Sequence, residues 1–232
     1  MAMTTTLTSP SPRAFEATHA FEAMRQAMVA SQLRTNAVND PRVVAAMGTV
    51  PRERFLPEEQ REFAYRDTAL PLGRARYLNV PMATGRLLTE AYLEHDDRAL
   101  LVGAATGYTA AVLAEIVAHV VAVESDGALV ALAREALDGV AKVELVEGPL
   151  QAGWPAGAPY DVLVIDGAVE FVPDELLAQL KPGGRVVTGL VDRNVVRLAS
   201  GRRSAGGFGL ATFADVDCVA LPGFSRPPRF TF

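Results

Sequence analysis

The chain has 232 residues, half of them hydrophobic, which is enough for one sizeable α/β domain with extensions and short for two ordinary domains. Its net charge of −5 argues against broad adhesion to nucleic acid or anionic membrane, with Arg202–Arg203 a small local basic candidate. The single cysteine, Cys218, excludes an internal disulfide and a cysteine-based metal cluster, and no apolar run reaches the ~18 residues that span a membrane.

The opening MAMTTTLTSPSPR lacks the charged-then-apolar order of a signal peptide, so a reducing cytoplasm is the expected compartment. Residues 1–20 are expected to form a disordered leader, although helical spacing begins within FEATHAFEAMRQAMVASQLR (15–34), through Phe21, Met24, Met28 and Leu33. NDPRVVAAMGTV predicts a short helix with Asp40 as N-cap and Pro41 at its first position. The proline-punctuated VPRERFLPEEQREFAYRD reads as loops with a helical turn. Few periodic signals follow until PMATGRLLTEAYL, an amphipathic helix with Leu87, Leu88 and Tyr92 on one side.

From residue 98 strands alternate with helices. RALLVGA, HVVAVES, KVELVEG, YDVLVIDGA and KPGGRVVTGLV are strands, and GYTAAVLAEIV, DGALVALAREAL and PDELLAQL are helices. That alternation means βαβ units and a parallel sheet buried on both faces. The tail NVVRLASGRRSAGGFGLATFADVDCVAL reads as two longer strands, an antiparallel pair closing the sheet, with Cys218 a buried or half-buried strand residue. The expected organisation is a leader over 1–20, an N-terminal helical and substrate-side extension over 21–97, and a doubly wound, mostly parallel seven-stranded core over 98–232.

Ligands in such sheets sit beyond the carboxyl ends of strands, where strand order reverses. The turn Gly103-Ala104-Ala105-Thr106-Gly107 ends the first core strand and opens its helix. Gly103 allows close backbone approach to a ligand, and the second strand ends in Glu124, 17 residues beyond Gly107. A carboxylate there can accept both hydroxyls of a ribose. Turn and acid together suit either a nicotinamide dinucleotide or S-adenosylmethionine. A dinucleotide needs its pyrophosphate close to the helix N-terminus, which Ala105 crowds, so the balance favours the phosphate-free methyl donor. Trp154, between Gly153 and Pro155, is expected to plug the sheet, and His19, His95 and His119 are too scattered to form a metal site.

At this point the sequence resembles the protein-L-isoaspartate O-methyltransferases over about residues 24–190. The similarity lies in MRQAMVASQLR, VVAAMGTVPRERFLPE, FAYRDTALPLG, VGAATGYTAAVLAEIV, VVAVES and GWPAGAPYDVLVIDGAVEFVPDELLAQLKPGGRVV. The resemblance implies a Rossmann-like methyltransferase fold and a cytoplasmic enzyme that moves a methyl group from S-adenosylmethionine to the free α-carboxylate of an isoaspartyl residue, in protein repair. It also implies a cofactor loop from Gly103 to Tyr108 (with Ala104, Ala105, Thr106 and Gly107), a ribose acid at Glu124 beside Ser125, and an adenine turn of Gly148, Pro149 and Leu150. The strip that typically reads Thr-Ile-Ser-Gln-Pro is here Tyr77-Leu78-Asn79-Val80-Pro81, so Asn79 replaces a substrate-contacting serine and offers an amide donor instead.

Other departures from the family pattern bear on chemistry. Leu101 stands where an acid would hold the cofactor's ammonium, and Pro149 stands where an aspartate would accept from the adenine amine. The fourth core strand ends in Asp166-Gly167-Ala168 instead of Thr-Ala-Ala, which is expected to project Asp166 into the crevice. A carboxylate nucleophile is already ionised at neutral pH and needs only alignment with the sulfonium methyl. A second carboxylate beside it repels it, so Asp166 better suits a hydroxyl or amine whose proton it could accept. Its plainer role is a solvated or N-capping acid. Two alternatives therefore stand beside the repair enzyme: a non-catalytic or regulatory binding module on the same fold, and a methyltransferase for another nucleophile with Asp166 as base.

Overall fold

The computed structural model describes residues 12–193 and 195–226. Helix α1 covers Pro12–Met28, which corrects the expectation of an unstructured leader for residues 12–20; residues 1–11 of that leader lie outside the described residues. Helix α2, Pro41–Thr49, starts as its sequence dictates. The Asp40 carboxylate accepts the Arg42 N–H at 2.8 Å, and Pro41 sits where no intrahelical donor is needed. Tight helical turns follow over Arg52–Phe55 and Glu58–Phe63.

The weakly patterned stretch that follows folds into a small antiparallel hairpin, β1 (Leu70–Gly73) and β2 (Arg76–Leu78). Its turn carries three consecutive left-handed residues, Gly73, Arg74 and Ala75. Helix α3, Pro81–Glu90, buries Leu87 and Leu88. Tyr92 does not share that face: it lies past the helix end with φ +48° and is 58% exposed.

The core alternates as expected: β3 (Arg98–Val102), α4 (Tyr108–Ala114), β4 (His119–Glu124), α5 (Gly127–Ala136), β5 (Val143–Glu147), β6 (Tyr160–Val169), α6 (Asp174–Ala178) and β7 (Leu180–Asp192). Strands β8 (Val195–Arg202) and β9 (Leu210–Ala214) complete a seven-stranded sheet ordered β5-β4-β3-β6-β7-β8-β9. Pairing is parallel from β5 to β7 and antiparallel for β7–β8 and β8–β9. Strand order reverses between β3 and β6, which places a crevice at their carboxyl tips.

Alternate residues of the central strands feed two cores on opposite faces, as a period of two requires. Ala99, Leu101, Val120, Ala122, Val162 and Val164 join the larger core, which holds buried residues of α2 to α5. Leu100, Val102, Val121, Val123, Leu163 and Ile165 line the other, whose helical cover is the five-residue α6. Leu221 and Phe224, from the irregular segment after β9, complete this second core, and Trp154 packs against its margin. Cys218 belongs to the same segment: β9 ends at Ala214, so Cys218 is half-buried but not in a strand. Among the described residues no helix is long and apolar enough to cross a membrane.

Candidate active site

The turn after β3 has the geometry its glycines allow. Gly103 and Gly107 take φ of +84° and +98°, and Ala105 joins them at +50°, a region costly for a residue with a Cβ. What holds Ala105 there is Glu124, whose Oε2 accepts the Ala105 N–H at 2.8 Å. Thr106 turns away from the strand tips: its hydroxyl donates to the Phe55 carbonyl at 2.6 Å, and it borders a separate cleft of about 390 Å³ with Arg54, Leu132 and Glu135. Tyr108 is fully buried, with the Arg52 guanidinium 4.7 Å from its ring centroid and Phe55 edge-on at 5.7 Å. Burial pushes its phenol up from the ordinary value, so it stays neutral.

Glu124 ends β4 as expected and is entirely buried. Its carboxylate is saturated. Arg76, on β2, forks onto both oxygens, Nη1 to Oε1 at 2.5 Å and Nη2 to Oε2 at 2.8 Å. The N–H groups of Ser125 and Asp126 donate to Oε1 at 2.8 and 3.1 Å. A buried acid is tolerable only with such partners, and a bidentate guanidinium is the strongest of them. Gly148 follows β5 and donates its N–H to the Glu124 carbonyl at 2.9 Å, so the turn after β5 stands beside the turn after β3. In it Pro149 is exposed and Leu150 is buried in the second core.

Asn79 and Asp166 meet, 87 residues apart in sequence. Asn79 Nδ2 donates to Asp166 Oδ1 at 2.7 Å, and Thr109 donates to Oδ2 at 2.5 Å. Asp166 does not project from a strand end, nor is it solvated or an N-cap. β6 continues to Val169 through an irregularity in its pairing with β7 between Val164 and Ala168, and Asp166 sits within that irregularity, 6% exposed. Burial raises its pKa, opposed by the Thr109 and Asn79 hydrogen bonds and by the charges of Arg52 and Arg76. Arg52, itself fully buried, donates to the Ala64 carbonyl at 2.8 Å and to the Asn79 carbonyl. Burial lowers its pKa, while Tyr108 and Asp166 act in the opposite direction.

Sequence reading missed the segment that closes the crevice. Val219 donates its N–H to Asn79 Oδ1 at 2.8 Å and accepts from Ala168 N–H at 2.7 Å; Leu221 N–H then donates to the Ala168 carbonyl at 3.0 Å. This lays Leu221 over the tips of β3 and β6. A Cβ on Gly103 would stand 2.9 Å from Leu221 Cδ1, and one on Gly167 would collide with Leu221 Cγ. The segment runs on to the turn after β5, where a Cβ on Gly223 would collide with the Gln151 amide. Arg76, Arg52 and Thr109 were missed as well. The apolar residues flanking Pro222-Gly223 were a readable sign of a turn between two anchors, whereas nothing local marks Arg76 as the partner of Glu124.

Comparison with known proteins places this geometry. Residues 23–222 match the family model for protein-L-isoaspartate(D-aspartate) O-methyltransferase. Protein-L-isoaspartate O-methyltransferase 1 of Rhodopseudomonas palustris (strain HaA2) is 40% identical over 207 residues, covering 88% of this chain and 84% of that protein. A protein-L-isoaspartate O-methyltransferase of Synechococcus sp. is 38% identical over 178 residues, covering 76% of this chain and 73% of its own. Two solved structures share the fold. One is a protein-L-isoaspartate O-methyltransferase at TM-score 0.76 and 23% identity, over 86% of this chain and 66% of that one. The other is a Plasmodium falciparum protein in complex with S-adenosyl-L-homocysteine, at TM-score 0.74 and 16% identity, over 85% of this chain and 97% of that one. The chain belongs to the protein-L-isoaspartate(D-aspartate) O-methyltransferase family.

Proposed function

We propose that the chain is an S-adenosylmethionine-dependent methyltransferase, directed at the free α-carboxylate of isoaspartyl residues in damaged protein and acting in the cytoplasm. The observation that carries this reading is a convergence at the reversal of strand order. The turn Gly103–Gly107, the strand-end Glu124 and the buried Asn79–Asp166 pair all meet there, in a chain of this family. Donor-side roles fall to Gly103, Ala104, Ala105, Gly107, Glu124 and Ser125 and to the backbone of the Gly148–Pro149 turn, whereas the side chains of Thr106, Tyr108 and Leu150 face Phe55, Arg52 and the second core and take none. Residues 21–97 form the substrate side, which carries Asn79, its amide engaged at both ends by Asp166 and Val219.

As packed, the crevice does not fit that donor. Both oxygens of Glu124 are engaged by Arg76, Leu221 stands over Gly103 and Gly167, Leu101 offers no charge to an ammonium, and Pro149 offers no acceptor to an adenine amine. No transfer step is assigned to this arrangement. Within it, Asp166 fixes the Asn79 amide: Nδ2 faces Asp166, which leaves Oδ1 to accept the Val219 N–H. Two hydrogen-bond donors hold the Asp166 carboxylate, so in this packing it supports Asn79 and is not free to act as a base.

A second reading keeps the fold as a binding module without chemistry, and the Arg76–Glu124 pairing favours it. The two separate in one assay on the full chain, with an isoaspartyl peptide and methyl-labelled S-adenosylmethionine. Base-labile label on the peptide is the expected result. Base-stable label would transfer the chemistry to another nucleophile. No incorporation, together with no rise in melting temperature at millimolar S-adenosylhomocysteine, would leave the module.

A further inference from the structure

A groove of about 580 Å³ runs along the substrate strip and includes none of the donor-side turns. Its apolar lining comes from Val80 and Met82, at the start of α3, from Val195, which opens β8, and from Val216, after β9. Val195 is 46% exposed, whereas Val216 packs against the larger core, so the wall it forms is fixed. Asp67, Asp215, Asp217 and Arg197 complete the lining, three carboxylates against one guanidinium. Arg197 Nε is engaged by Asp215 Oδ1 at 2.7 Å. Asp67 and Asp217 are exposed and have no cation of their own among the described residues. The groove is continuous with the strip at two points. Val80 adjoins Asn79 in sequence, and Asp217 precedes Val219, whose N–H donates to Asn79 Oδ1 at 2.8 Å.

An apolar floor under an acidic rim fits one kind of side chain. Lys and Arg lay an apolar stem on such a surface while the charged head reaches polar surroundings. Carboxylates without a cation favour that head and repel an acid. We propose that this groove receives the residues flanking the isoaspartyl residue of a polypeptide substrate and selects basic ones, with Asp67 and Asp217 as the specificity-determining side chains. This rests on the methyl-transfer reading, which supplies the isoaspartyl group; the groove supplies the sequence preference. A basic neighbour rests its stem on Val195 and Val216 and directs its head to the rim. The contacts lie in water, so the preference fades as the Debye length falls from about 10 Å at 0.1 M salt to about 3 Å at 1 M. The chain's net charge of −5 attracts any cationic peptide, and the groove has to be separated from that general field.

The test uses fluorescein-labelled isoaspartyl peptides of one length, flanked by lysines, glutamines or glutamates. Fluorescence anisotropy gives their dissociation constants on the full chain, and methyl transfer to the same peptides gives kcat/KM. Asp67→Lys and Asp217→Lys reverse the rim at exposed positions on separate segments, so one remains if the other does not fold. Glu115→Lys, exposed at the end of α4 away from the strand tips, makes the same change in net charge elsewhere. The expected result is binding about fivefold tighter for the lysine peptide than for the glutamate peptide at about 0.1 M salt, and less than about twofold at 1 M. Either rim variant should bring the ratio at low salt below about two, while Glu115→Lys keeps it. Equal binding of the lysine and glutamate peptides, or a preference that Glu115→Lys removes as fully as the rim variants do, would overturn the groove alone. A rim-dependent lysine preference with no methyl transfer to any peptide would overturn the methyl-transfer reading and leave the groove as a peptide site. Failure of every peptide to bind at millimolar concentration would overturn the groove.

Discussion

Replacing Arg76 with alanine separates stability from ligand affinity at one position. Arg76 and Glu124 are 7% and 0% exposed, and their two hydrogen bonds form a bidentate pair shielded from water. Removing one partner of such a pair costs ~3–5 kcal/mol, because the other charge stays buried and uncompensated. Glu124 would keep the N–H groups of Ala105, Ser125 and Asp126, which argues for the lower end, about 3 kcal/mol. For a chain of this size that is a fall of roughly 6–12 °C in melting temperature. Affinity should move the other way, since the freed carboxylate oxygens become available to ribose hydroxyls. Urea denaturation at neutral pH and calorimetric titration with S-adenosylhomocysteine measure the two. A variant within 0.5 kcal/mol of the unaltered chain, or one less stable that binds no better, would refute the claim that Arg76 holds the ribose acid.

Asp166→Asn should change the pH dependence of stability. Burial raises the folded pKa of Asp166 above its ordinary 3.8, so the folded state binds the proton more tightly than the unfolded state. Stability contributed by the protonated form is then lost as pH rises through the folded pKa, so the asparagine variant should gain on the unaltered chain as pH rises above the ordinary value of 3.8. Denaturation at several pH values checks this, and a gap that closes with rising pH would contradict it. Gly167→Ala forces a Cβ into Leu221 and to 2.8 Å from the Val219 carbonyl, so it should cost about 1–3 kcal/mol in urea denaturation and speed amide exchange at Val219 and Leu221. Asp126→Ala removes the N-cap that accepts from Ala128 and Leu129, and should lower stability by about 1 kcal/mol without changing nucleoside affinity. An equal effect on binding would show that the start of α5 belongs to the site.

Strands β3, β4 and β6 were legible because a run such as Ala99–Val102 must be buried on both faces, which leaves a parallel sheet as its setting. The same holds for the cap of α2, whose signal is local. The hairpin of β1 and β2 was not legible: strands of four and three residues carry too little alternation to stand out. That loss hid Arg76, because its partner lies 48 residues away and only the hairpin brings them together. Glu124 could be read as an acid ending a buried strand, but its engagement by an arginine could not. Asp166 was read as a strand-end residue because Asp166-Gly167-Ala168 stands where the resembled family ends this strand in Thr-Ala-Ala. The strand instead runs on to Val169, its last residues anchored by Ala168 to the segment around Ala220. Leu221 and Phe224 had the apolar character of anchors, yet their landing place depends on a face of the sheet that the short helix α6 leaves partly uncovered.

The most direct measurement is a crystal structure of the full chain grown with saturating S-adenosylhomocysteine. The expected result is the nucleoside across the tips of β3 and β4, with its ribose hydroxyls on Glu124, Arg76 swung off the carboxylate, and Leu221 displaced from Gly103. A nucleoside bound at another place while Arg76 and Leu221 keep their present positions would contradict it.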